Sequence, residues 1–144
     1  MAEASQYVIF RMDDQLYGAD IAVVREVSYR TPVTRLPNAP HYVEGVIDLR
    51  GEVMPIIDLR KRLGLPGRPA DGDTRIMVLS AGGITAAVIV DGVEQVISID
   101  ADTIAQPDSS VAVAGQDYVY GVARMDGRLV VLIDLSRLLS IAVA

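Results

Sequence analysis

YVEGVIDLRGEVMPIIDL, residues Tyr42–Leu59, returns 76 positions later as YVYGVARMDGRLVVLIDL, Tyr118–Leu135, and the two copies align without a gap. Tyr42/Tyr118, Gly45/Gly121, Gly51/Gly127, Asp58/Asp134 and, just beyond, Leu63/Leu139 coincide. In each copy two apolar runs flank a short polar pair, Arg50-Gly51 or Asp126-Gly127. Glycine supplies the positive φ that tight hairpin turns require, so each copy is expected to be a β-hairpin. Pro55 removes a backbone donor inside its run, which predicts an edge strand or a bulge there. Asp58 and Asp134 end the runs where a helix N-cap would accept bonds from free backbone N–H groups. Arg60-Lys61-Arg62 then lies toward the C-terminus of a short helix, with Gly64 as its stop.

Working outward, Tyr7–Val27 and Arg75–Val96 echo each other more weakly, each as two apolar runs around a polar or glycine turn. Gly82-Gly83 is the stronger of these turns and Asp13-Asp14 the weaker. The chain therefore reads A-B-A′-B′, each letter a hairpin with a short flanking helix. Asn38-Ala-Pro40 before His41–Glu44 resembles one more helix start, ended by Gly45. The expected organisation is a disordered tail over 1–6 and one domain over 7–141. That domain holds two barrel-type repeat units, about 7–66 and 75–141, around a linker at 66–74 of the composition Pro-Gly-Arg-Pro-Ala-Asp-Gly-Asp. Closing each set of about five strands into a small barrel hides the sheet edges, so the fold class is all-β with short helices, in two five-stranded barrels. Whether A pairs with B, or the halves exchange hairpins, stays open at this point.

At 144 residues the chain fits one domain or two very small barrels sharing a core. Half of its residues are apolar, mainly Val, Ile, Leu and Ala, and frequent Gly and Pro favour short strands over long helices. The net charge of −6 and the absence of a basic stripe with aromatic platforms argue against a nucleic-acid partner. There is no cysteine, hence no disulfide framework and no thiol nucleophile. Met1–Gln6 lacks the basic and apolar regions of a signal peptide, and no apolar run approaches the roughly 20 residues a membrane span needs. A soluble cytoplasmic protein without membrane insertion is expected.

Residues capable of chemistry are scattered. His41 is the only histidine and has no Cys, Glu or second His at ligand spacing, so a surface or half-buried helix position is the better account of it. Asp58 and Asp134 occupy equivalent repeat positions, which capping explains better than acid–base pairing. Asp71-Gly-Asp73 and Asp100-Ala-Asp102 lack the spaced Glu of a calcium loop. No phosphate-binding glycine loop, dinucleotide fingerprint or nucleophile elbow occurs. No catalytic residue, metal site or cofactor is expected. A small enzyme or ligand carrier would have to use a groove between the barrels lined by scattered Asp, Arg and Tyr.

The stretch Gly45–Leu59 resembles the signature of CheW coupling proteins and of the matching regulatory domain of CheA, whose core runs N-L-R-G, three residues, P, two residues, D-L. Leu49-Arg50-Gly51, Pro55 and Asp58-Leu59 match, and Asp48 stands where Asn is usual. Tyr17–Ile21 with Val24–Val27, Val88–Val93 with Val96, and Tyr118–Leu139 are similar to the family's other segments, so the likeness runs from Tyr7 to about Leu139. It implies two intertwined five-stranded SH3-like barrels and no catalysis. The implied role is a scaffold that couples chemoreceptors to a CheA-type histidine kinase within membrane-receptor arrays. The implied partners are the cytoplasmic signalling tip of a chemoreceptor and the kinase regulatory domain. Carried over by position, Arg50 is the leading receptor-binding residue, with Glu26, Val24, Val27, Val93 and Val96 around the same groove. A guanidinium on a tight turn offers several donors to carboxylates or carbonyls. It would otherwise be a solvated turn arginine, or one paired with Asp48 or Asp58. The valines would otherwise be core. A pilus-motility or developmental signalling array would use the same fold.

Overall fold

In the computed structural model, residues 4–105 and 118–142 are described. Among these residues ten strands, two short α-helices and a single 3-10 turn at Ala101–Thr103 follow the alternating pattern of the sequence. The strands are β1 (Ala4–Met12), β2 (Gln15–Asp20), β3 (Val24–Ser28), β4 (Val43–Leu49), β5 (Glu52–Asp58), β6 (Arg75–Ala81), β7 (Ile84–Val90), β8 (Gly92–Asp100), β9 (Val119–Met125) and β10 (Arg128–Ile133). Helix α1 (Leu59–Arg62) follows β5, and α2 (Leu135–Ala142) follows β10. The four turns expected from the sequence each join a hairpin through two residues, at 13–14, 50–51, 82–83 and 126–127. At the last three, both central residues have positive φ, which matches the right-handed twist of the strands they connect.

The strands form two five-stranded sheets, ordered β8-β1-β2-β10-β9 and β3-β6-β7-β5-β4. Each sheet takes one hairpin from either half of the chain: β1–β2 joins β9–β10, and β6–β7 joins β4–β5. In each case the junction is a parallel pair, β2 with β10 and β7 with β5. The halves have exchanged hairpins. The expected repeat units at about 7–66 and 75–141 therefore describe the sequence duplication, while the sheets cut across it. The connecting stretch 65–71 forms neither strand nor helix. Strand β1 begins at Ala4, and Ala4, Ser5 and Gln6, expected in a tail, pair with β8.

The matched glycines acquire a reason here. Beyond β3 the chain returns to β4, where Thr34 and Val46 exchange two backbone bonds of 2.9 Å; beyond β8, Ala105 and Val122 do the same at 2.9 and 2.8 Å. These bridges tie the stretch that follows one edge strand of each sheet, β3 or β8, to the opposite edge strand, β4 or β9. A Cβ on Gly45 would lie 2.0 Å from the Thr34 carbonyl oxygen, and one on Gly121 would lie 2.4 Å from Ile104 Cγ2. Only glycine admits such close crossing.

Alternation along the strands then divides the apolar residues into three layers. Tyr7 and Ile9 face a cluster inside the first sheet with Leu16, Val130 and Leu132. Ile76 and Val78 face one inside the second, with Ile47, Met54 and Ile56. The opposite faces, Val8, Phe10 and Met12 with Met77, Leu79 and Val88, meet in a central cluster that Leu59 of α1 and Leu135 and Leu139 of α2 complete.

Two local expectations are corrected. His41–Glu44 is not helical: Val43 N–H donates to the Pro40 carbonyl at 2.9 Å to close a turn, and β4 starts at Val43. The interval between Pro40 and Gly45 is too short for a helix, and Gly45 is committed to the crossing. Pro55 lies neither on an edge strand nor at a bulge, since β5 runs between β7 and β4. Its parallel pairing with β7 begins one residue later, at Ile56, so the missing donor falls just outside that ladder. The helix starts behave as expected. Asp58 accepts from Arg60 N–H at 3.0 Å and Asp134 from Ser136 N–H at 3.1 Å, while Gly64, at φ +74°, ends α1.

Candidate functional site

Arg50 occupies the first position of the β4–β5 turn at φ +54°. Asp48 secures that turn by accepting from Gly51 N–H at 2.8 Å. An Asn side-chain oxygen could do the same, so the departure at this position leaves the turn intact. The Arg50 side chain is 69% exposed and its guanidinium pairs with both carboxylate oxygens of Glu26, not with Asp48 or Asp58. One residue earlier in β3, Arg25 forms a two-point pair with Glu52, at 2.8 and 3.3 Å, across the same turn. The Arg25 guanidinium holds the Glu52 carboxyl below the usual carboxylate range. A bulge makes this possible: β3 pairs Val24 with Leu79 and Glu26 with Val78, leaving Arg25 as the extra residue. Consecutive residues can then both reach the turn.

The structure thus brings together Arg50 and Glu26 of the predicted set. Val24 and Val93 are partly buried against the central cluster and serve packing. Val27 and Val96 are exposed, in β3 of the second sheet and β8 of the first. The reading of the sequence missed Arg25 and Glu52. The clue was present in Arg-Glu at 25–26 against Arg-Gly-Glu at 50–52, two alternating charge pairs that can cross-link once β3 lies beside the turn.

A second charged constellation is buried. Arg60, at the start of α1, has only 8% of its side chain exposed and donates to Asp13 at 2.7 Å and Asp91 at 2.6 Å. It also donates to the Pro66 carbonyl at 2.8 Å through Nε. Asp91 accepts a further bond from Asp13 N–H at 2.6 Å. Arg68 stands 3.7 and 3.6 Å from the two acids. The hydrogen bond from Arg60 holds the Asp13 carboxyl below its ordinary range, against the opposing effect of burial. These groups tie the β1–β2 turn, the β7–β8 junction, α1 and the connector into one joint. A cleft of about 370 Å³ at the start of α2 is lined by Tyr7, Asp20, Tyr120 and Asp134. Its carboxylates are occupied locally, since Asp20 accepts from Ala22 N–H at 2.9 Å and Asp134 caps α2. Burial and the bond with Tyr7 push the Tyr120 hydroxyl upward. Among the described residues no group of His, Asp and Glu is placed to hold a metal ion, and no helix is long and apolar enough to cross a membrane.

Residues 6–143 match the model of the CheW-like domain. The chain belongs to this family. It is 34% identical to the chemotaxis protein CheW of Klebsiella aerogenes, with 94% of this chain and 81% of that one covered. It is 32% identical to the chemotaxis protein CheW of Treponema pallidum, with 96% and 84% covered. The crystal structure of the scaffolding protein TtCheW from Thermoanaerobacter tengcongensis superposes with a TM-score of 0.84 at 36% identity, covering 92% of this chain and 90% of that one. The all-β class and two five-stranded sheets of this CheW-like chain are those of a chemotaxis scaffold.

Proposed function

We propose that this chain is the non-catalytic coupling scaffold of a chemosensory array, joining a chemoreceptor's cytoplasmic tip to the regulatory domain of a CheA-type kinase. Membership of the CheW-like family supports the role. The observation that carries the site is the Arg50–Glu26 pair on an exposed turn that is locked by Asp48 and crossed by Arg25–Glu52. A guanidinium held in place by one carboxylate has lost much of its rotational freedom before a partner arrives, yet its outer donors still face solvent. It can therefore bridge a partner's carbonyl or carboxylate without a large ordering cost.

Isothermal titration against a chemoreceptor tip fragment and a CheA regulatory domain from the same genome tests the assignment. Wild type is expected to bind both. Arg50→Ala should lose receptor affinity by about 1–3 kcal/mol, as for a charged hydrogen bond, while holding the kinase domain. Failure of wild type to bind either partner would overturn the coupling role, and equal losses on both partners would remove Arg50 from the receptor site.

A further inference from the structure

The inner cluster of the second sheet is open at one end. Ile56 and Ile76 of that cluster, with Ile89 packed against it, line a cavity of about 210 Å³ together with Arg30, Val33 and Thr74. Arg30 and Thr74 also line a neighbouring cleft of about 290 Å³, with Tyr29, Asp71 and Arg75. The apolar pocket and the polar cleft are therefore adjoining parts of one opening. It lies beyond the Arg50 turn: β3 passes from Glu26, which reaches that turn, to Ser28, which pairs with Ile76 at the cavity.

The fold does not demand such an opening. Counted back from the hairpin turns, Tyr7 opposite Asp20 holds the place in the first sheet that Ile76 opposite Ile89 holds in the second. One sheet puts a phenol and a carboxylate there, the other two isoleucines facing a pocket. An apolar cavity of about 150 Å³ admits a benzene ring, so this one has room for a single Leu or Phe side chain. Residues 29–42, which pass over it, carry neither strand nor helix beyond the Thr34 bridge. Connections of that length are uncommon in small domains outside functional sites.

Charge around the opening is one-sided. In a chain of net charge −6, the stretch from Val27 to Val43 holds Arg30, Arg35 and His41 and no Asp or Glu. Arg30 and Arg35 form no salt bridge among the described residues. Asp71, the only acid among the lining residues, is taken by Arg68 at 2.9 Å. Tyr29 is 73% exposed, yet the Arg75 guanidinium sits 4.6 Å from its ring centre. Arg75 is fixed in turn by donating to the Gly72 and Thr74 carbonyls at 2.8 and 2.9 Å. The aromatic ring is thus ordered before any partner arrives.

We propose that this opening docks an acidic segment of a partner protein. One apolar side chain of the segment enters the pocket between Val33 and the isoleucines, and its flanking carboxylates meet Arg30 and Arg75. Charge recruits the segment and the pocket selects it. The inference goes beyond receptor coupling and does not depend on it.

Fluorescence anisotropy with a fluorescein-labelled peptide, Glu-Glu-Asp-Leu-Glu-Asp-Glu, tests the site, beside the same peptide with Ser in place of Leu. The proteins are wild type, Arg30→Glu, Val33→Asp and Arg50→Ala. All three substitutions fall on exposed side chains, so each variant is expected to fold, with circular dichroism as the check. Wild type should bind the leucine peptide saturably, and salt should weaken the binding. Arg30→Glu, Val33→Asp and the serine peptide should each lower the affinity by about tenfold or more. Arg50→Ala should bind the peptide as wild type does, whatever it loses toward a receptor tip. A wild type without saturable binding, equal affinity for the two peptides, or unchanged affinity in Arg30→Glu would each overturn the proposal. Sedimentation velocity on the same proteins completes the test, since a dimer that Arg30→Glu breaks would give the opening to a second copy and overturn it as well.

Discussion

Arg60 shows how differently two arginines of one chain can behave. Arg50 is mostly exposed and its pair with Glu26 contributes little to stability, whereas Arg60 is buried between Asp13 and Asp91. Removing the cation from such a site leaves an uncompensated buried carboxylate. Arg60→Ala is expected to cost about 3–5 kcal/mol, read as a lower urea midpoint by far-UV circular dichroism because the chain has no Trp. Arg50→Ala should leave that midpoint nearly unchanged. A pH dependence follows from the same joint. The Asp13 carboxyl sits below its unfolded value because Arg60 donates to it, and Glu52 and Asp71 are likewise held down, by Arg25 and by the Asp73 N–H. On acidification the unfolded chain takes up these protons first. The stabilisation is therefore complete above the unfolded carboxylate value near pH 4, and drains away as pH falls through the lowered native values. Urea midpoints from pH 6 to pH 3 should show this loss, with a shallower slope in Asp13→Asn.

At the scale of the element, the two crossings predict unequal costs. Gly45→Ala would drive a methyl into the Thr34 backbone at a φ of +150° that a side chain resists, while Gly121→Ala meets the methyl of Ile104, which can rotate away. Both should lower the thermal midpoint, Gly45→Ala much more, and a reversed order would contradict the crossing geometry. Most elements were legible in the sequence for local reasons. Turn glycines, capping aspartates and period-two apolar runs are short-range chemistry, and every two-residue hairpin turn lies where they placed it. What was not legible depends on partners distant in the chain. Nothing within 41–44 reveals that Gly45 is needed for a crossing by Thr34, and nothing around Pro55 reveals that the parallel ladder starts at Ile56. The site divides in the same way. Arg50 and Glu26 were singled out by likeness to a family, but their mutual pairing and the Arg25–Glu52 cross-link arise only when β3 wraps to the turn.

For the whole molecule, the exchange of hairpins decides how the chain tolerates being divided. A cut in the 66–74 connector separates β1–β5 from β6–β10, so each fragment holds part of both sheets and part of the central cluster. Fragments 1–68 and 69–144 are expected to lack native strand signal alone and to regain it on mixing. Dispersed amide resonances from either fragment by itself would show that one half can stand alone. The connector also carries Pro66 and Arg68 to the Arg60 joint, so the reassembled protein should be less stable than the intact one.

The nesting of the sheets has a further consequence while the protein is being made. All strands of the second sheet lie between residues 24 and 90, so that sheet can assemble as soon as this stretch leaves the ribosome. The first hairpin, synthesised earlier, must wait for its parallel neighbour, because across the sheet Leu16 pairs with Val130. At translation rates of about 5–20 residues per second this is a delay of roughly 6–23 seconds. Throughout it, Ile9 and Leu16 have no finished interior to enter, and this hairpin, made before the second sheet, is sheltered from aggregation only after it.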